Sequence, residues 1–181
     1  MGLFYTGLGD QGRSIIAKKK FSKTHPVMDA LGDLDELNSL TGLVRTKIRS
    51  HEIRMTLQNV QEALFIIQAN VAVSEFGGKY PPPELKKQKI TEMEKTIDAL
   101  EKKINPERGF IVSGETEKSA WLDYARTVSR RAERSVIKYY KSKKPDVSVL
   151  AYLNRLSSLF FALARWEAKK SGKKEGHPKY K

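Results

Sequence analysis

The sequence predicts an all-α protein, an antiparallel five-helix bundle with a four-helix-bundle-like core and a glycine-rich N-terminal loop. Three observations support this: apolar residues recur at spacings of three and four, no segment shows convincing alternation, and the connections are short. At 181 residues the chain fits one domain with a sizeable core. We expect an N-terminal loop at 1–26, the bundle at 27–170 and a basic flexible tail at 171–181.

The N-terminal segment and the first two helices are separated by clear breaks. The first 25 residues have four glycines and no helical period, which predicts a loop that allows short extended pieces. Leucines in register then predict a helix from about 27 to 48, and Arg49-Ser50-His51 forms a turn. A second helix is expected over about 52–74, and the glycines after Phe76 stop it.

The last three helices alternate with proline-containing breaks. The prolines at 81–83 predict an extended connector, and a Glu- and Lys-rich, peripheral third helix follows over about 83–104. Asn105-Pro106 ends it, and an apolar loop or strand at 110–114 precedes a fourth helix over about 117–141. A fifth helix, about 147–170, carries a leucine-rich inward face.

Composition excludes several classes of protein. The chain has no cysteine, so disulfides and thiolate metal sites are excluded. It shows no secretory leader, and no apolar run approaches the ~20 residues that a membrane span needs. We therefore expect a soluble protein without membrane partners, located in the cytoplasm.

The net charge of +13 raises the possibility of a polyanionic partner. Much of the excess lies in the lysine-rich segment after Trp166, and such a segment is more often a solvated end than a nucleic-acid arm. A basic helical nucleic-acid binder is therefore kept as an alternative. Its affinity would fall steeply with added salt.

The most informative feature lies in the fourth helix. Arg126, Arg130 and Glu133 follow i, i+4, i+7 spacing and share one stripe, beside a stripe of small apolar residues that should face the core. Two guanidiniums and a carboxylate suit a polyphosphate with its metal ion. The simpler interpretation is a solvated basic face, which is the more common fate of such residues.

Three other segments carry candidate ligand-binding residues. The glycine-punctuated loop at 5–14 brings backbone amides and the hydroxyls of Thr6 and Ser14 toward a phosphate, although a flexible arm is the default. Asp35 lies two turns into the first helix and could hold a guanidinium, with Arg126 as a candidate partner. Asn154 and Arg155 lie among core leucines of the fifth helix, where a capping or surface role is the alternative.

Taken in order, these segments resemble the ATP:cob(I)alamin adenosyltransferases of the PduO type, from Tyr5 to about Arg165. The family's Thr-Gly-Asp-x-Gly loop is similar to residues 6–12. The other matching segments are Asp-Glu-Leu-Asn-Ser at 35–39, Arg-Arg-Ala-Glu-Arg at 130–134 and Tyr-Leu-Asn-Arg-Leu-Ser at 152–157. The chain differs from the residues usual in that family at Gly7-Leu8, Gln11, Arg13-Ser14, Ser158 and the segment 113–115. We hypothesise that Arg13 replaces a positive charge that the loop has lost.

The resemblance implies a homotrimer with active sites between subunits and with ATP, Mg²⁺ and cob(I)alamin bound together. The reduced cobalt attacks the ribose 5′ carbon, which gives adenosylcobalamin and triphosphate. Because cob(I)alamin is already a strong nucleophile, the protein needs to align the reactants and stabilise the leaving charge. A cobalamin reductase and an adenosylcobalamin-dependent enzyme are implied partners; a non-catalytic ATP- or cobalamin-binding protein is the second alternative.

The resemblance also implies roles for particular residues. Those shaping the phosphate loop are Thr6, Gly9, Asp10, Gly12, Arg13 and Ser14, and those contacting ATP or its magnesium are Arg126, Arg130, Glu133, Asn154 and Arg155. Glu133 is the possible magnesium ligand, and Asp35 would pair with Arg126 across subunits. Phe110 resembles an aromatic wedge that displaces the lower ligand of cobalamin and makes cobalt(II) easier to reduce. Simple core packing is the alternative for Phe110.

Overall fold

The computed structural model describes residues 4–5, 7–16, 19–141, 143 and 145–180. A hairpin of β1 (Arg13–Ile16) and β2 (Lys19–Ser22) precedes the helices α1 (Pro26–Lys47), α2 (His51–Phe76), α3 (Lys87–Ile104), α4 (Glu117–Tyr140) and α5 (Val147–Lys170). The predicted five-helix bundle is therefore confirmed. The limits proposed for the loop, the bundle and the tail remain predictions.

Helices α1 and α4 run antiparallel, as the ion pairs between them show. Lys47 at the end of α1 lies 2.9 Å from Glu117 at the start of α4, and Asp33, near the start of α1, lies 3.1 Å from Arg131 in the second half of α4. The core lies among α1, α2, α4 and α5, whereas α3 packs on α5. By length and composition α5 could cross a membrane, yet half of its most apolar window is buried, so it is a core helix.

The third helix begins at Lys87, so the predicted start at 83 is wrong. The carbonyl oxygen of Pro83 accepts a hydrogen bond of 3.0 Å from Asn70 Nδ2 of α2, which holds this part of the connector against the bundle. Leu85 is buried in the core and anchors the connector. These contacts keep the chain extended up to the helix start.

The N-terminal segment forms a two-stranded hairpin with Arg13 opposite Ser22. Phe21 of β2 packs edge-on against Phe76 of α2, with 4.6 Å between the ring centroids. Each strand is only four residues long, which is too short for sequence periodicity to detect. The aromatic contact fastens the hairpin to the end of the bundle where α2 ends.

A polar cluster closes the same end of the bundle. The hydroxyl groups of Ser74 and Tyr139 are 2.6 Å apart, and Lys143 pairs with Glu75. The hydrogen bond from Lys143 is the main reason that the pKa of Glu75 lies below its usual value. This cluster joins the ends of α2 and α4, and His25 Nε2, 4.0 Å from Glu75, connects it to the base of the hairpin.

Candidate functional site

The two arginines of the predicted stripe open onto one cleft. Arg126 and Arg130 of α4 line a cavity of about 490 Å³ between α3, α4 and α5. Its other lining residues are Ile97, Glu101, Ile104, Pro106, Ser157, Ser158, Phe161, Ala162 and Arg165. The volume falls within the range of small-molecule sites, about 300–1,000 Å³. The small residues Ala125, Val128 and Ala132 on the neighbouring stripe are buried, as predicted.

A buried ion pair forms the floor of this cleft. Arg165 of α5 is 2% exposed and donates from both Nη atoms to the carboxylate of Asp123, which is 4% exposed. The same carboxylate accepts a hydrogen bond of 3.4 Å from Arg126 Nε. Asp123 therefore orients Arg126, while Arg130 is exposed and has no partner within the described part of the chain.

Sequence reasoning missed Asp123 and Arg165. One signal was present, because Arg165 lies between Ala164 and Ala168, which are buried on the inward side of α5. A charge at such a position is costly unless it is paired. The sequence alone does not reveal that its partner lies 42 residues away on α4.

The predicted polar residues of α4 and α5 meet farther along the helices. Asn154 Nδ2 donates to Glu133 Oε1 at 3.1 Å, and Arg155 Nη1 donates to Asn154 Oδ1 at 2.9 Å. Arg155 is also tied to α3, since its Nε donates to Glu94 Oε1 at 2.9 Å. The five predicted ligand residues of α4 and α5 thus lie on the same side of these adjoining helices. They are Arg126, Arg130, Glu133, Asn154 and Arg155.

The described residues alone form no metal centre on this surface. In the described ranges, no group of three or more histidine or acidic side chains is placed to hold a metal ion. Glu133 keeps its Oε2 atom free of any partner among those residues. A single carboxylate oxygen is compatible with Mg²⁺ that takes its remaining ligands from phosphates and water.

The glycines of the N-terminal loop shape two tight turns. Gly7 and Gly12 have φ values of +67° and +70°, which L-residues with side chains rarely adopt. The Gly12 amide donates to the Gly9 carbonyl oxygen at 3.2 Å, and the Lys23 amide donates to the Gly12 carbonyl oxygen at 2.9 Å. Asp10 lies within the first turn, where its amide donates to the Gly7 carbonyl oxygen at 3.4 Å. Thr6 lies outside the described residues.

Arg13 and Ser14 belong to the hairpin that continues from this loop. Arg13 is exposed, and Ser14 pairs with Phe21 across the two strands. Because Phe21 contacts the end of α2, both residues lie at the end of the bundle where α2 and α4 finish. Both residues can therefore contact a ligand, but not a ligand that binds only in the cleft of the same chain.

The loop and the arginine stripe are not brought together within one chain. Arg126 lies 14 residues before Tyr140, the last residue of α4, which is roughly 20 Å of helix. No described loop residue lines the cleft. Asp35 is exposed on α1 and makes no hydrogen bond or ion pair within the described residues, while its predicted partner Arg126 contacts Asp123. The cross-subunit pairing of Asp35 with Arg126 remains a prediction.

Phe110 lies in the segment that joins α3 to α4. Its side chain is 77% exposed, so the alternative of core packing is wrong for the single chain. The carbonyl oxygen of Phe110 lies 2.8 Å from His177 Nδ1. An exposed apolar ring with a fastened backbone is available to contact a partner molecule.

Comparison with known proteins agrees with this geometry. A family described as cobalamin adenosyltransferase has a model that matches residues 4–167. The chain is 35% identical over 167 residues to the corrinoid adenosyltransferase PduO of Citrobacter freundii, covering 90% of this chain and 49% of that protein. It is 32% identical to the corrinoid adenosyltransferase of Bacillus subtilis, covering 93% of this chain and 88% of that protein. It thus spans about half the length of the Citrobacter protein.

Solved structures give the same result. A phenylalanine-to-alanine variant of a PduO-type ATP:corrinoid adenosyltransferase from Lactobacillus reuteri, complexed with cobalamin and ATP, has a TM-score of 0.90 and 29% identity. The match covers 97% of this chain and 99% of that one. An arginine-to-lysine variant complexed with ATP has a TM-score of 0.87. The fold is therefore shared with a protein whose structures hold ATP, in one of them together with cobalamin.

Proposed function

Because this chain belongs to the cobalamin adenosyltransferase family, we propose that it transfers the 5′-deoxyadenosyl group of ATP to cob(I)alamin. The observation that carries the proposal is the pair Arg126 and Arg130, which opens onto a cleft of about 490 Å³ and continues into the Glu133–Asn154 contact. Structures of similar proteins complexed with cobalamin and ATP support it. No described contact specifically favours either alternative function.

The chemistry requires little more than positioning and charge stabilisation. The cobalt(I) electron pair forms a bond to the ribose 5′ carbon, the carbon–oxygen bond breaks, and triphosphate leaves with the bonding electrons. Negative charge therefore grows on the leaving group, where the guanidiniums of Arg126 and Arg130 would lie. Asp123 accepts from Arg126 and so reduces its freedom to rotate away from the phosphates. No proton has to move in this step.

We further propose that Mg²⁺ accompanies ATP and that Glu133 supplies its protein ligand. Asn154 donates to one oxygen of Glu133 and leaves the other available. The ion would neutralise part of the phosphate charge, which adds to the effect of the arginines. Asn154 and Arg155 then orient the carboxylate and the adjoining phosphate contacts.

We propose a homotrimer in which each active site lies between two subunits. Within one chain the glycine loop lies near the end of α4, roughly 20 Å of helix from Arg126, which supports a site that two chains complete together. A neighbour's loop, with Thr6, Gly9, Asp10 and Gly12, would complete the site, and Asp35 would meet the neighbour's Arg126. The proposed cytoplasmic setting supplies a cobalamin reductase and an enzyme that consumes adenosylcobalamin.

An anaerobic assay tests the activity. The purified chain is mixed with chemically reduced cob(I)alamin, Mg²⁺ and ATP, and the visible spectrum is followed for light-sensitive adenosylcobalamin. We expect product to form with one triphosphate released for each cobalamin consumed. Tight binding of ATP or cobalamin without product would favour the non-catalytic alternative. If the chain binds neither ATP nor cobalamin but binds nucleic acid in a salt-sensitive manner, the result would favour a basic helical nucleic-acid binder.

Mixed oligomers test whether the site lies between subunits. Asp10→Ala is expected to disable the loop and Arg130→Ala the stripe, so each variant alone should be nearly inactive. Random assembly of equal amounts restores one intact loop–stripe pair at about a quarter of the interfaces, because each interface needs one subunit of each kind in the right order. We therefore expect about a quarter of the parent activity after co-refolding. Activity no higher than that of the separate variants would place the whole site within one chain.

A further inference from the structure

The segment after α5 makes several specific contacts with the segment that bears Phe110. We name residues 171–177 the C-terminal strap and residues 105–116 the Phe110 loop. The Val112 amide donates to the Gly176 carbonyl oxygen at 2.8 Å, and Lys173 Nζ donates to the Glu115 carbonyl oxygen at 3.2 Å. The strap thus holds the part of the loop backbone that follows Phe110 and leads to α4.

His177 holds the backbone at Phe110 itself. Its Nδ1 atom lies 2.8 Å from the Phe110 carbonyl oxygen, and a carbonyl oxygen only accepts hydrogen bonds. Nδ1 is therefore the donor in this hydrogen bond. The ring also lies beside Gly109, where a Cβ atom would be 3.5 Å from Nδ1. Gly109 has a φ of +144°, a backbone conformation that residues with side chains rarely adopt.

Glu175 connects the strap to the floor of the cleft. Its Oε1 atom lies 2.7 Å from Arg165 Nε, in an ion-pair contact whose angle is not that of an aligned hydrogen bond. Burial raises the pKa of Glu175, while the charge of Arg165 opposes that shift. Arg165 also pairs with Asp123, which accepts from Arg126. A continuous series of polar contacts therefore runs from the arginine stripe to the strap.

From these contacts we infer that Glu175 and His177 are positioning residues, which hold the Phe110 loop so that the ring projects outward toward cobalamin. The inference rests on the proposed function and on the wedge role of Phe110. It adds that the strap, and not the loop alone, sets the position of the ring. Through Arg165 and Asp123, the same contacts tie that position to Arg126, which would contact ATP.

The physical reason is the cost of exposing an apolar ring. A phenylalanine on a free loop gains from collapsing onto nearby apolar surface, and Phe110 is nevertheless 77% exposed. Hydrogen bonds at Phe110 and Val112 remove the backbone freedom that such a collapse would need. A pre-positioned ring loses less conformational entropy when it displaces the lower ligand of cobalamin.

The experiment measures the coordination of bound cob(II)alamin in addition to activity. The full chain and its variants are mixed anaerobically with ATP and cob(II)alamin, and electron paramagnetic resonance gives the four-coordinate fraction. We expect His177→Ala to lower that fraction and to raise the KM for cobalamin by about fivefold, the effect of one lost hydrogen bond. The KM for ATP should stay within about twofold, because the ATP contacts are not altered.

Matched variants separate positioning from loss of folding. His177→Asn keeps an N–H donor near the position of Nδ1 and should restore most of the four-coordinate fraction, whereas Lys179→Ala, an exposed change beyond the strap, should match the parent. Glu175→Gln keeps the shape but removes the charge facing Arg165, and it should lower the fraction as His177→Ala does. Thermal unfolding identifies any variant that does not fold.

The outcomes distinguish this inference from the function on which it rests. If the parent chain makes no adenosylcobalamin from chemically reduced cob(I)alamin, the proposed function fails before any variant is studied. If it does, but folded His177→Ala and Glu175→Gln give the parent's four-coordinate fraction, the strap has no positioning role. Equal impairment of His177→Ala and His177→Asn, or a parent that forms no four-coordinate cob(II)alamin, would also overturn the inference.

Discussion

Replacing Arg130 with alanine is expected to lower the kcat for adenosyl transfer by about 10²–10³-fold, the usual cost of removing one donor that stabilises a developing charge. Arg130 is exposed on the cleft and has no partner among the described residues, so its guanidinium is free to contact the leaving triphosphate. That contact strengthens as the carbon–oxygen bond breaks. The loss should therefore fall mainly on kcat, with a smaller rise in the KM for ATP.

The measurement is the anaerobic transfer assay at saturating cob(I)alamin with varied ATP. Arg130→Lys keeps the charge but loses the forked pair of donors, so its activity should lie between those of the parent and Arg130→Ala. Arg54→Ala removes an exposed arginine of α2 that lines no part of the cleft and should leave activity unchanged. An Arg130→Ala enzyme with the parent's kcat would remove Arg130 from the phosphate site. An equal loss of activity in Arg54→Ala would attribute the effect to the change in net charge and not to the phosphate site.

Replacing Asp123 with alanine is expected to destabilise the fold by about 3–5 kcal/mol. Asp123 and Arg165 are almost completely buried, and the variant would leave the Arg165 guanidinium with Glu175 as its remaining partner. The cost of burying a charge without full compensation exceeds that of losing an exposed ion pair. Arg126 would also lose the acceptor that orients it, so activity should fall together with stability.

Urea unfolding followed by circular dichroism measures this loss. Asp33→Ala is the matched control, because Asp33 pairs with Arg131 between helices at a more exposed position and should cost about 1 kcal/mol or less. A second variant, Asp123→Ala combined with Arg165→Met, removes both charges and should recover part of the stability. If Asp123→Ala cost no more than Asp33→Ala, the pair would not stabilise the cleft floor.

The helices and the arginine stripe were predictable because their signals are local. A helix repeats every 3.6 residues, so apolar residues in register locate it without knowledge of what packs against it. The same geometry places Arg126 and Arg130 on one stripe of α4 wherever the helix lies. Prolines at 81–83 gave a correct break but a wrong start for α3, because the contact between Asn70 and Pro83 joins different elements. The sequence allowed short extended pieces before α1, but their pairing into a docked hairpin was not predicted for a similar reason, since Phe21 packs on Phe76 of α2.

By itself, the sequence determined the number and order of the helices, the family motifs and most of the charged groups proposed to hold ATP. Only the tertiary structure decided that Asn154 contacts Glu133, that Asp123 and Arg165 pair in the core, and that the glycine loop lies far from the arginines of its own chain. It also showed that the Gly176 carbonyl oxygen and the His177 ring bind backbone atoms of the Phe110 loop. Both residues belong to a segment whose lysines suggested only a solvated tail. Periodicity reports which face of an element is apolar, whereas contacts between distant residues depend on how the elements pack.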